Sequence, residues 1–333
     1  MEDGQEFLFN PDTLINNSEN ISFCNKYWLL DKYEIQKVKD YKRTNLCKNK
    51  FCANCKKVKQ ASRMAKYIPE LEQYKDNLYH LVLTLPNVPG KDLRNTINHM
   101  SKCFRSLIRI IRGERKIYGI NFDSWGYEGA IRSLEVTYLL DSYHPHYHVA
   151  LVLNDDFMSK KNISNTYSFN YRTSIPELTK LFNKEEILIQ KIWFLLVNNQ
   201  RVTKNNIDSL DIGYSCTIDK FAEGHYVELF KYLTKEVQED GTVLDYNNFK
   251  TLYISLYRLK QIQGYGCLYQ ITDDGDLEGL EAEYDILIER LREKENPEEV
   301  LETPQDLSKD KNYLLISRKS YFKYLRQINN NIE

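Results

Sequence analysis

The chain has 333 residues, 42% of them hydrophobic, with a formal net charge of -1, which is ample for one large packed domain or two ordinary ones. Its apolar runs, such as residues 187–197 and 149–153, are too short or too interrupted to span a bilayer, and Met1-Glu2-Asp3-Gly4 is acidic rather than signal-like; a soluble, cytoplasmic protein with no membrane partner is expected. Seven cysteines, an odd number, point to thiols or metal ligands rather than a disulfide framework.

The near-neutral total hides a segregation. Residues 37–66 hold Lys37, Lys39, Lys42, Arg43, Lys48, Lys50, Lys56, Lys57, Lys59, Arg63 and Lys66 against a single acidic residue, Asp40, whereas 273–310 is heavily acidic. A basic front half implies an anionic partner.

In chain order, residues 1 to about 35 read as weakly structured, followed by the Cys-rich basic segment. Tyr79-His80-Leu81-Val82-Leu83-Thr84-Leu85 reads as a buried strand closed by Pro86-Asn87-Val88-Pro89-Gly90. Leu93, Ile97, Met100, Phe104, Leu107 and Ile111 recur at helical spacing, predicting a helix over 92–112 that stops at Gly113. Strands are expected at 131–139 and 145–153, joined by Leu140-Asp141-Ser142-Tyr143-His144. A helix over about 175–197, broken near Asn183, a strand at 212–218 and a helix at 221–237 follow. Beyond Tyr246 the pattern turns mostly helical, with an acidic amphipathic helix through Leu277, Leu280, Tyr284, Leu287 and Leu291. Pro297 and Pro304 mark a linker to a basic tail at 318–326. The class is α+β, an antiparallel sheet with helices on one side. Three parts are expected: a Cys-rich element (1–70), a sheet domain (71–245) and a helical C-terminal region (246–333) with an acidic helix and a basic tail.

Within the second hairpin strand, His144-Pro145-His146-Tyr147-His148 places three of the six histidines in five residues. Alternate strand residues share a face, so His146 and His148 point the same way and can chelate a divalent ion. Register about Asp141-Ser142 would set Glu135 opposite His148 on that face, as the third ligand. A slip of one residue would turn Glu135 away and leave His144 as the substitute. A lone histidine here would be an ordinary strand residue; this clustering favours a metal.

Glu228, Tyr232 and Lys235 fall on one stripe of the later helix. A phenol, with a reference pKa of about 10, needs a cation or a metal-polarised phosphate to become a nucleophile. Lys235 can supply charge, and Glu228 can activate water or accept a proton. Among 25 tyrosines, composition alone does not select Tyr232.

Cys47-x4-Cys52-x2-Cys55 lies in the basic stretch, and Cys24 can complete a four-thiolate zinc set, with buried free thiols as the alternative. Cys103, Cys216 and Cys267 read as core residues.

Leu81-Val82-Leu83-Thr84-Leu85-Pro86-Asn87, His144-Pro145-His146-Tyr147-His148 and Glu228-Leu229-Phe230-Lys231-Tyr232-Leu233-Thr234-Lys235 occur in an order and spacing that resembles the rolling-circle replication initiators (Rep proteins) of small Gram-positive plasmids, in the HUH endonuclease superfamily. The likeness covers roughly residues 47–266, and it implies a five-stranded antiparallel sheet flanked by helices, with the histidines on a central strand and the tyrosine on a facing helix. It also implies an activity: Tyr232 would attack origin DNA, keep the 5′ phosphate as a phosphotyrosine and free a 3′ hydroxyl, with Glu228 activating water at termination. Mg2+ or Mn2+ is the expected ion, because a hard phosphate oxygen shares the site. The expected partners are plasmid origin DNA, as duplex and as single-stranded hairpin, the host helicase and polymerase, and a second copy as a homodimer. A similar Cys-rich basic element occurs in these initiators, where Zn2+ at Cys24, Cys47, Cys52 and Cys55 and the cations Lys56, Lys57, Lys59 and Arg63 would suit duplex contact. A relaxase generally carries its tyrosine before the histidines, and a single-tyrosine transposase is generally shorter. A zinc-dependent DNA-binding regulator would leave His146, His148 and Tyr232 idle.

Overall fold

The computed structural model describes residues 11–24, 27–32, 39–44, 47, 49, 51–154, 157–168, 177–230, 246–271 and 313–317. In chain order the elements are α1 (Pro11–Phe23), β1 (Tyr27–Lys32), β2 (Lys39–Thr44), α2 (Ala53–Glu72), β3 (Leu78–Thr84), β4 (Val88–Pro89), α3 (Gly90–Ile111), β5 (Gly129–Leu139) and β6 (Ser142–Val152). They continue with β7 (Ile163–Ser168), β8 (Glu177–Phe182), α4 (Lys184–Val197), α5 (Lys204–Asp208), β9 (Cys216–Lys220), α6 (Glu223–Phe230), α7 (Tyr246–Ser255), β10 (Ile262–Gly266) and β11 (Tyr313–Ser317).

Contacts divide the chain into two compact units, Lys66–Gly275 and Met1–Ala65 with Asp276–Glu333. The first is an α+β unit around a sheet of strand order β10-β5-β6-β3-β9, with β4 added beside β6. Every pairing along that order is antiparallel. The second carries a three-stranded sheet of order β11-β1-β2.

Periodicity explains the central elements. β3, β5 and β6 are buried almost throughout, as strands covered on both faces must be. α3 buries Leu93, Ile97, Met100, Phe104, Leu107 and Ile111, each contributing about 1.5–3 kcal/mol by leaving water. Phe104 meets the Tyr147 ring edge-on at 5.5 Å, and Arg132 lies 4.7 Å over that same ring. Gly113 adopts φ 76°, a left-handed conformation that ends α3 without a Cβ penalty. Because Tyr147 and His148 point to opposite faces, α3 covers one face of the sheet while α6, bearing Glu228, faces the other. Helices therefore flank both faces, and not one side only.

Several local expectations change. Residues 177–182 form β8, paired with β7, where the sequence suggests the first half of a helix. Asn183 is the N-cap of α4, in a reciprocal capping box with Glu186. The wholly buried Glu186 carboxylate also accepts the Ile218 N–H at 2.8 Å and Lys161 Nζ at 3.0 Å, tying α4 to β9. The N-terminal stretch contains α1 and β1, not weak structure. A boundary at 245 would cut β10 from its partner β5, and β11 pairs with β1, so the region 246–333 holds strands as well as α7. The acidic helix over 277–291 and the basic tail lie outside the described residues.

Candidate metal centre and cysteine cluster

The site begins at the β5–β6 hairpin. Leu139 pairs with Ser142, leaving a two-residue turn of Leu140 and Asp141, with Leu140 at φ 54°. A left-handed leucine is uncommon outside glycine-rich turns. The turn is fixed from outside it: Asp141 accepts the Gly90 N–H at 3.1 Å, seating the tip on the start of α3.

This turn lies one residue earlier than the sequence reading sets it, and Glu135 is opposite His146 rather than His148, which faces Ser133. Both registers keep Glu135 on the histidine face. Its Oε2 lies 3.0 Å from His146 Nε2 and 3.1 Å from His148 Nε2. Three donor atoms from Glu135, His146 and His148 fall within 4.8 Å of one another, and the side chains are 4%, 12% and 10% exposed. A buried carboxylate converging on two imidazoles is a donor set suited to a divalent cation, with positions left open for other oxygens. His144 stands outside the set. It stacks on His146 at 5.2 Å, and its carbonyl oxygen lies 3.2 Å from His146 Nδ1. Burial and then the neighbouring His146 push the His144 pKa down to about 4.

α6 brings a second carboxylate: Glu228 Oε2 lies 3.8 Å from His148 Nε2. Leu229 and Phe230 anchor the helix through burial, Phe230 stacking on Tyr67 at 6.0 Å. Tyr232 and Lys235 lie outside the described residues. Sequence reasoning missed His80 and His225. His80 Nε2 is 3.2 Å from His148 Nδ1, and His225 stacks on His80 at 4.3 Å. Five of the six histidines therefore form one run of ring contacts from His144 to His225.

The cysteine cluster belongs to the other unit. Cys24 follows the last turn of α1, its N–H donating to the Ile21 carbonyl at 3.2 Å. The Cys47 N–H reaches Cys24 Sγ at 3.4 Å. Asn49 turns the chain, accepting from Phe51 N–H through its side chain and from Cys52 N–H through its carbonyl. Cys55 sits in the first turn of α2. All four sulfurs lie within 4.8 Å of one another, with Cys24–Cys55 at 3.5 Å and Cys47–Cys55 at 3.7 Å. A tetrahedron with metal–sulfur bonds of about 2.3 Å has sulfur–sulfur edges of about 3.8 Å, so the set fits zinc. Hydrogen bonds from Cys24, then Cys47 and Cys55, pull the Cys52 thiol down, while hydrogen bonds from Cys24 first push the Cys47 and Cys55 thiols up.

Of the basic residues expected at DNA, Arg63 is only 9% exposed and Lys59 is half-buried. The Lys56 and Lys57 side chains lie outside the described residues. Cys103 and Cys216 are buried as expected, but Cys267 is exposed, following the strand end at Gly266. No described helix is long and apolar enough to cross a membrane.

Comparison with known proteins bears on this geometry. Residues 38–168, which span β3, the histidine hairpin and three of the four clustered cysteines, match the family described as Replication protein. The chain is 34% identical over 156 residues to "Protein rep" of Staphylococcus aureus, covering 44% of this chain and 62% of that one. It is 27% identical over 234 residues to "Protein rep" of Streptococcus pneumoniae serotype 2, covering 67% and 61%, and 28% identical over 153 residues to "Protein rep" of a Bacillus species, covering 44% and 46%. The chain thus spans about six-tenths of the length of the first two relatives. No solved structure matches it. The matched segment carries the hairpin that builds the Glu135, His146 and His148 donor set, and through that segment the chain is similar to the Rep replication proteins.

Proposed function

We propose that this protein initiates rolling-circle replication of a plasmid by nicking one strand of single-stranded origin DNA and later rejoining it. The observation that carries the reading is the convergence of Glu135 Oε2 on His146 and His148 at 3.0 and 3.1 Å, with the Glu228 carboxylate 3.8 Å from His148. Glu135, His146 and His148 would hold Mg2+ or Mn2+, which when bound supplies Lewis-acid polarisation of a phosphate oxygen.

Tyr232, four residues after Glu228 in the sequence, is the nucleophile. Its phenolic oxygen bonds to phosphorus and the bond from phosphorus to the 3′ oxygen breaks. The phenolic proton passes to solvent, and the departing oxygen takes a proton to become the 3′ hydroxyl from which a host polymerase extends, with a host helicase opening the duplex. Lys235, three residues further along the sequence, would supply positive charge to the reaction. At termination Glu228 accepts a proton from water as that water cleaves the regenerated origin phosphodiester; the 3′ hydroxyl so freed attacks the phosphotyrosine phosphorus, the phenol leaves and takes up a proton, and the strand is rejoined, so one tyrosine suffices. The scissile strand is unpaired, as in an extruded hairpin, because a duplex would hold the phosphate away from a site between strand and helix. Zn2+ at Cys24, Cys47, Cys52 and Cys55 shapes a basic element for duplex contact.

Full-length protein incubated with Mn2+ and 5′- and 3′-labelled single-stranded origin DNA is expected to yield a covalent adduct retaining the 5′-phosphate side of the cut. Tyr232→Phe is expected to yield none. Cleavage that persists in Tyr232→Phe would remove Tyr232 as nucleophile, and no cleavage of any origin strand would favour a DNA-binding regulator.

A further inference from the structure

We propose that His80 is a positioning residue for His148, holding it in the tautomer whose Nε2 is free to bind the ion; this rests on the metal reading above. His80 lies on β3, which pairs with β6 so that Val82 faces His148 and His80 faces Ala150. His80 and His148 are thus diagonal neighbours on one face. Their rings are parallel within 4°, with His80 Nε2 3.2 Å from His148 Nδ1, a distance within the hydrogen-bond range.

A neutral imidazole carries one proton. If His148 Nε2 binds a cation, the proton must sit on Nδ1, and Nδ1 then needs an acceptor. His80 Nε2 is that acceptor, with the His80 proton on its own Nδ1. His146 is served in the same way, its Nδ1 lying 3.2 Å from the His144 carbonyl oxygen. Each ligand imidazole is therefore backed by an acceptor, one from the backbone and one from a side chain.

His80 is itself held. It is 6% exposed, His225 stacks on it at 4.3 Å, and Phe221 meets it edge-on at 6.1 Å. The His225 ring is fixed in turn by the Ala222 N–H, which donates to its Nδ1 at 2.9 Å. The helix that carries Glu228 thus clamps the residue that orients His148, so ligand geometry and helix position depend on one another. Outer partners of this kind are worth about 10- to 100-fold in metal affinity.

The test is Mn2+ titration of the full chain, followed by calorimetry, on native protein, His80→Phe and His80→Gln. Phenylalanine keeps the ring stack and removes the acceptor; glutamine places Oε1 near the position of Nε2. His80→Phe is expected to weaken Mn2+ binding about 10- to 100-fold and His80→Gln to recover most of that loss, a recovery that a purely space-filling role would not produce. Native affinity in a folded His80→Phe overturns the inference, as does a His80→Gln no better than His80→Phe. Native protein that binds no Mn2+ overturns the metal reading and this inference with it, an outcome distinct from the other two. If the variants do not fold, nitrogen-15 NMR of the Mg2+-loaded native chain decides: a proton on His148 Nδ1 is expected, and its absence overturns the assignment.

Discussion

The histidine site and the cysteine cluster each bring together donor atoms that could hold a metal ion, and they do so in opposite ways. Glu135, His146 and His148 come from one hairpin on paired central strands of the sheet, where register alone determines which side chains meet. Cys24 and Cys47 flank the paired strands β1 and β2, and Cys52 and Cys55 come from a turn and a helix start, so these four ligands are gathered from three separate segments. The first set offers three donors and keeps coordination open; the second offers four thiolates and closes it. An open site suits chemistry and a closed one suits folding, so the same perturbation should have different consequences at the two places.

The largest contrast should come from removing one ligand at each. His146→Ala is expected to lower origin nicking by about 10^2- to 10^4-fold, the loss of several kcal/mol of charge stabilisation, while thermal unfolding shifts little and duplex binding persists. Gel assays of nicking and binding on the same preparation check this; lost folding would make His146 structural. Cys52→Ser is expected to act in the reverse sense, releasing zinc and exposing residues 1–65 to protease while the Lys66–Gly275 unit keeps its unfolding transition. Metal analysis of the native protein should find one zinc per chain, and none would refute that cluster's role.

A smaller effect sharpens the histidine side. Glu228→Gln keeps the size and removes the base, so the first cleavage should proceed while release of the covalent adduct slows about 10^2-fold or more. Equal slowing of both steps would instead make Glu228 part of the ion's own binding set.

Much of the histidine side is legible in the sequence. Alternation along His144-Pro145-His146-Tyr147-His148 determines which imidazoles share a face, and the odd register sum keeps Glu135 with them whichever of two turns forms. The turn itself is not legible, because Leu140 takes a left-handed conformation that no Asn-Gly or Asp-Gly pair announces. His80 is not legible either, since its contact with His148 depends on the pairing of β3 with β6, 68 residues apart in the chain at those two positions. β8 was open to a helical reading because Leu178, Leu181 and Phe182 recur at spacings of three and four, and only pairing with β7 decides it. β10 escapes notice through its brevity and two glycines, Gly264 and Gly266. The cysteine spacing announces its cluster, and Cys24 joins it only through the fold. Arg63 shows the limit of charge counting: a basic run can include a residue that the fold encloses.

The central claim is that His146 and His148 hold the ion through their Nε2 atoms. Electron spin-echo modulation of the Mn2+-loaded full chain tests it most directly. Coupling to nitrogen from two imidazoles is expected, reduced to one in His146→Ala; Mn2+ that binds with no histidine nitrogen coupling would contradict the account.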